Sequence, residues 1–170
     1  MALQLQFVAL VGFAGLMLVA AFEDLRRLMI PNSLILALCV VWPFYFAAAP
    51  NLYGGLGALG SAAGVFLVGA FCFSRGWLGG GDVKLLSAAT LWAGPAATPT
   101  LLVLTGLFGG ILALFVMMPP GAFIATLARA KLGPSAAASN PPGRGLEAPV
   151  PYGIAIAGAA TIVTFLPHIG

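Results

Sequence analysis

Long unbroken apolar runs alternate with short polar breaks along this chain. The runs cover roughly residues 3–22, 30–49, 56–73, 82–97, 100–118 and 150–166. They are continuous rather than alternating, which selects helices over strands. Most approach the roughly 17–20 residues that a helix needs to cross the hydrocarbon of a bilayer. The pattern predicts an all-α polytopic membrane protein with about six transmembrane helices. The fourth run is short, and Gly94-Pro95 near its end can terminate or kink a helix. Gly60-x-x-x-Gly64 and Gly106-x-x-x-Gly110 put small residues on one helix face, so both are expected to be packing faces. No internal repeat is evident, and residues 1–170 read as a single membrane domain.

Composition agrees with a lipid solvent. Of 170 residues, 61% are hydrophobic and 6% charged, where a water-soluble domain carries about a quarter charged residues. The net charge is +3, with no basic patch interleaved with aromatics, so a nucleic-acid partner is not expected. Cys39 and Cys72 both fall inside apolar runs, and there is no Cys/His cluster. Neither a metal site nor a disulfide framework is therefore predicted, and no cofactor is implied. His168 stands alone and receives no role. No Lys or Arg precedes the first run, so the basic region of a signal peptide is missing, although Val19 and Ala21 could mimic a cleavage site. Arg26 and Arg27 follow the run, as in a membrane anchor.

Charge placement supplies a topology. All seven basic and four acidic residues lie in three windows, 23–27, 75–84 and 129–147. With six spans these windows are the first, third and fifth connections, all on one side. Lys and Arg collect on the cytoplasmic side, so both termini are expected outside and the charged edge inside. Residues 119–149 form a cytoplasmic loop in this scheme. Within it, 123–132 could lie as an amphipathic helix with Arg129 and Lys131 toward lipid phosphates, and 134–145 has the composition of a mobile segment.

The chain contains two aspartates, Asp24 and Asp82, each at the edge of an apolar run. A carboxylate near hydrocarbon is costly and usually serves chemistry or transport. Asp24 follows the first run in Glu23-Asp24-Leu25-Arg26-Arg27, ahead of Ile30-Pro31-Asn32, where proline suits the first turn of the next helix. The plain alternative is a charged hairpin that anchors topology, which accounts for Arg26 and Arg27 better than for Asp24. Asp82 ends Gly79-Gly80-Gly81-Asp82. Three glycines let another chain approach closely, and the positive end of a helix beginning here would favour an ionised carboxyl. The plain alternative is an N-capping aspartate. No Gly-Lys-Ser/Thr follows, so a phosphate loop is not indicated. Lys84 is expected to snorkel to phosphates, and Arg75 to act as another anchor. The topology puts Asp24 and Asp82 at one membrane depth. Two carboxylates in contact cannot both ionise easily. The charged one can activate water while the protonated one polarises a peptide carbonyl.

These motifs resemble those of the prepilin peptidases, membrane aspartic endopeptidases with a Gly-x-Gly-Asp motif. Asp24-x-Arg26-x-x-x-Ile30-Pro31-Asn32 and Gly79-x-Gly81-Asp82-x-Lys84 occur in order, and Pro151-Tyr152-Gly153 is similar to the family's C-terminal signature. The resemblance implies that Asp24 and Asp82 are the catalytic pair, with Gly79, Gly81, Arg26, Pro31 and Asn32 as supporting motif residues. It implies pilin-like precursors as substrates, with a basic leader and an apolar helix cut at the cytoplasmic membrane edge. The cysteine-rich zinc insert of larger relatives has no counterpart, which implies cleavage without N-methylation. Two other classes compete on residue chemistry alone: a proton- or cation-coupled transporter using the two aspartates, and a structural membrane subunit in which both are dispensable.

Overall fold

The computed structural model describes residues 2–48, 52–118 and 150–166. The predicted loop 119–149, with its amphipathic segment, lies outside the described residues. Among the described residues five helices follow one another: α1 (Ala2–Arg27), α2 (Asn32–Ala48), α3 (Leu52–Ser74), α4 (Gly80–Met117) and α5 (Tyr152–Phe165). No strand occurs among the described residues. The protein is an all-α membrane protein.

Among the described residues three helical stretches are long and apolar enough to cross a bilayer: Gln4–Arg27, Gly54–Ser74 and Gly80–Val116. Asn32–Ala47 and Tyr152–Phe165 are apolar but shorter. The sequence expectation of six runs is corrected in its boundaries. The first helix does not stop at residue 22 but carries Glu23–Arg27 as a further turn. It ends where Leu28 takes a positive φ of 52°, and the Leu28 N–H donates to the Asp24 carbonyl at 2.9 Å. Pro31 lies just before the first residue of α2 rather than inside its first turn.

The fourth and fifth runs are joined in α4 without a loop. The kink expected at Gly94-Pro95 is there, with Gly94 at φ 74° and ψ 174°, so the fourth run ends a few residues before the boundary drawn at residue 97. That φ is readily adopted only by glycine, and Pro95 then opens the second arm at a helix position that suits it. Contacts show that the chain reverses there. In the first arm, 80–93, Gly80 lies beside Phe73 and Val83 beside Gly69, and Pro95 meets Gly57 near the start of α3. This arm therefore runs antiparallel to α3. In the second arm, 95–117, Ala97 and Leu104 line a cavity with Ile162, Val163 and Leu166 of α5, and Gly109 packs on Tyr152. The second arm is thus antiparallel to α5 and returns to the end where α4 began.

Packing is organised by one aromatic cluster and one small-residue helix. The Trp92 ring stacks on Phe13 with centroids 4.6 Å apart and lies 5.2 Å from the Tyr45 ring. Its Nε1–H donates to the Leu38 carbonyl at 3.0 Å. One side chain thereby ties α1, α2 and α4 together. In α5, Gly153, Ala155, Ala157, Ala159 and Ala160 are buried, as expected of a helix that is apolar all round and enclosed. Its small side chains let α1 and α4 close on it. The outer surface carries Phe7, Val8, Leu18, Leu67, Val68, Val103 and Leu114, all exposed, as a lipid-facing surface should. Among the described residues the two Gly-x-x-x-Gly motifs are not packing faces: none of those residues comes within 4 Å of a Cβ built at Gly60, Gly64, Gly106 or Gly110. Close approach occurs instead at Gly57, Gly69, Gly109 and Gly153.

Truncating Trp92 to Ala should lower stability by about 3–5 kcal/mol, read as a shifted unfolding transition of the solubilised protein. Trp92→Phe keeps the ring contacts and loses one hydrogen bond, so it should cost only about 1 kcal/mol. Equal losses for the two variants would show that the cluster does not hold the helices.

Candidate active site

Every charged residue among the described residues sits at one end of the bundle, at the close of α1, the close of α3 or the opening of α4. The same end holds a cavity of about 480 Å³ lined by Asp24, Leu28, Met29, Ile30, Gly79, Gly80, Gly81, Asp82, Val150 and Tyr152. The α1–α2 connection, the first turn of α4 and the opening of α5 supply its walls. Both aspartates of the chain enter it from different helices, and they are near enough for their charges to interact.

Asp24 is buried, at 4% exposure. Its Oδ2 accepts a hydrogen bond from the Gly153 backbone N–H at 2.7 Å. Gly153 is the second residue of α5, where the helix leaves its N–H groups without internal partners. The carboxyl group thus caps another helix from 129 residues away in sequence. The approach requires glycine: a Cβ at 153 would lie 2.9 Å from the Asp24 Cβ and 2.8 Å from its Oδ2.

Asp82 lies in the first turn of α4, three residues after the N-cap Gly79. The plain reading of Asp82 as the N-cap itself is therefore corrected. From this position its carboxyl reaches back to the Gly79 backbone, the half of a capping box contributed by the third helical residue. A Cβ at Gly79 would stand 2.7 Å from Asp82 Oδ2, so the glycine clears space for the carboxyl. Gly81 serves a different contact, since a Cβ there would be 3.3 Å from the Ile30 Cβ. The glycine motif thereby seats against the first motif.

The remaining predicted residues lie outside the cavity lining. Asn32 Oδ1 accepts a hydrogen bond from Lys84 Nζ at 2.9 Å. Lys84 was expected to reach lipid phosphates; instead it joins the two motifs. Arg26 lies over the Phe22 ring, 5.3 Å from its centroid, and Pro31 precedes α2; neither lines the cavity. Arg75 stacks over Phe71 at 4.8 Å. Three contributors carried no role in the sequence reading: the Gly153 amide, the Tyr152 side chain and the apolar wall of Leu28, Met29 and Ile30. Pro151-Tyr152-Gly153 was visible as a motif, but the bond it makes joins positions too distant to be read locally. Among the described residues no group of three or more His, Cys, Asp or Glu could hold a metal ion.

A model of the type IV leader peptidase family matches residues 11–114, more than half of the chain. The chain belongs to that family. No curated protein and no solved structure matches it. As a member of the type IV leader peptidase family the protein is a peptidase, and its apolar helices place it in a membrane. The matched residues include both aspartates and the glycine motif; α5, which meets Asp24, lies beyond them.

The Asn32–Lys84 bond generates a prediction. Asn32→Ala and Lys84→Met should each reduce leader cleavage by roughly two- to fivefold, and the double variant should be no worse than either single one. Multiplying losses in the double variant would mean that the two side chains act separately.

Proposed function

We propose that this leader peptidase is an aspartic endopeptidase whose catalytic pair is Asp24 and Asp82. The observation that carries the reading is the convergence of the chain's two aspartates, from α1 and α4, on one partly apolar cavity. Two nearby carboxyls share one proton because both cannot easily be ionised, so apparent titration constants belong to the pair. The ionised carboxylate takes a proton from water, and the water oxygen attacks the scissile carbonyl carbon. The protonated carboxyl gives its proton to the carbonyl oxygen. On collapse the C–N bond breaks, the newly protonated carboxyl gives its proton to the leaving nitrogen, and a hydroxyl of the tetrahedral intermediate returns its proton to the other carboxylate, so the pair is again singly protonated.

The proposed substrate is a pilin-like precursor with a short basic leader and an apolar helix, met at the cytoplasmic membrane edge without subsequent N-methylation. Support comes from the cavity's composition and place. Leu28, Met29, Ile30 and Val150 present apolar surface next to the two carboxyls, which suits a segment passing from lipid to water. The charged end of the bundle would face the cytoplasm, because Lys and Arg favour that side. Gly79 clears space for the Asp82 carboxyl and Gly81 seats the glycine motif against Ile30, while Asn32 ties the start of α2 to Lys84; Arg26 and Pro31 belong to the same motif as Asn32. A transporter reading gains no specific support, since among the described residues no acid lies farther along the helices than the Asp24–Asp82 end.

Asp24→Asn and Asp82→Asn should each abolish leader removal when co-expressed with candidate precursors, with the protein still accumulating in the membrane. Full cleavage by either variant ends the assignment. For topology, a reporter fused at Gly170 should behave as extracytoplasmic, and a cytoplasmic readout would invert the bundle.

A further inference from the structure

A second concave surface follows the first arm of α4 away from the aspartates. It is a groove of about 330 Å³ between α2 and α3. Its floor is the buried face of the arm, Ser87, Ala88 and Leu91. Ile35 and Cys39 of α2 make one wall, and Leu59, Ala62, Ala63 and Phe66 of α3 make the other. Cys39, Leu59, Ala63 and Phe66 are exposed, so the groove opens toward lipid. α2 and α3 meet where the Phe46 ring covers Gly55, at the end of the bundle away from the aspartates. Nearer the aspartates the groove stands between them, and Lys84 lines that end of it. From Lys84 to Leu91 the floor extends over about 10 Å, two turns of helix.

We propose that this groove docks one face of the precursor's apolar helix while the leader junction lies at the two carboxyls. This rests on the reading of Asp24 and Asp82 as a hydrolytic pair acting on such a precursor. The groove's place favours that occupant. Lys84 is two residues past Asp82, and Ile35 is five past Ile30, so the groove takes up where the catalytic cavity ends. Its direction favours it too. α2 and the first arm of α4 both lead away from the charged end, along the path that a helix cut at its membrane edge must follow. Its chemistry asks for no polar ligand. The Ser87 hydroxyl already donates to the Val83 carbonyl at 2.8 Å, Lys84 donates to Asn32, and the other lining side chains are apolar or, at Cys39, nearly so. Lipid tails are as apolar as the groove, so shape decides between them and a helix. A helix about 10 Å across cannot be enclosed in this volume but can lay a ridge of side chains into it. Ala62, Ala63 and Ala88 let its backbone come close.

Cys39 is an exposed thiol in the groove and serves as the probe. With Cys72→Ser it becomes the chain's one cysteine, and with Asp24→Asn the precursor should stay uncleaved. A short bismaleimide then joins Cys39 to single cysteines placed along the precursor's apolar helix, in membranes that contain both full-length proteins. The Trp92 bond to the Leu38 carbonyl sets Cys39 level with Trp92, ten residues past Asp82 and so about 15 Å along the arm. Adducts should therefore peak about six to ten residues beyond the cut, the range running from a partly extended to a fully helical substrate. They should recur every three to four residues, as one helix face requires. No adduct at any position, with Cys39 still labelled by a simple maleimide, would mean that the groove meets lipid only and would overturn the inference. Adducts confined to two copies of this chain would overturn it as well. Cleavage by the Asp24→Asn protein would instead remove the underlying reading.

Filling the groove gives a second readout with both aspartates in place. Ala63 is exposed on the α3 wall, so Ala63→Phe adds a ring to the groove without crowding the core. It should raise KM for the full precursor by roughly tenfold and change kcat by less than about twofold, because the carboxyls are untouched. Val68→Phe, on an exposed part of α3 outside the groove, should leave both constants at their parental values. Equal KM in the two variants would overturn the inference and leave the aspartate pair standing.

Discussion

A buried aspartate held by the amide of another helix is the constraint on which the rest of this structure turns. Asp24 sits where α1 passes the opening of α5, and its hydrogen bond to Gly153 is the polar contact that fixes those helices at the cavity. A carboxylate at 4% exposure beside hydrocarbon is tolerable only if its charge is met by donors. The fold meets it with a helix terminus that itself needs acceptors. The two requirements cancel at one point, and that point also faces Asp82.

The rest of the architecture brings this contact about. The Trp92 cluster ties α1 and α2 to the first arm of α4, so Asp82 rises beside Asp24 on a helix already clamped to α1. The turn at Gly94 returns the second arm to the same end, where Gly109 receives the Tyr152 ring and seats the start of α5. Without that reversal, α5 would have no wall against which to present its first turn. Gly81 against Ile30 and Lys84 against Asn32 then lock the α1–α2 connection to the first turn of α4.

Much of this was legible in the sequence. Apolar runs announced the helices because lipid forces backbone groups to pair internally. Charge clustering announced the end of the bundle that carries Asp24 and Asp82, since so few charged residues exist to be placed. What escaped was tertiary. Gly60 and Gly64 looked like packing residues because spacing reports a face but not what covers it, whereas Gly109 and Gly153, in less regular patterns, make the close contacts. The break at Gly94 was sensed, but a turn without a loop removed the few residues allotted to it. Lys84 looked solitary because its partner lies 52 residues earlier in the chain. The importance of Gly153 depends on a bond to a residue near the opposite end of the sequence.

The brevity of the first arm of α4 has a consequence for hydration. Between Gly79 and Gly94 it holds about fourteen helical residues, roughly 21 Å of rise, whereas hydrocarbon is about 30 Å thick. A bilayer meeting so short a segment thins or dips around it at modest cost. A dip beside Asp82 would lower the headgroups toward the carboxyls and bring their water along. Hydrolysis beside hydrocarbon needs a supply of water as much as it needs acids, and a helix too short for its surroundings would draw that water toward them.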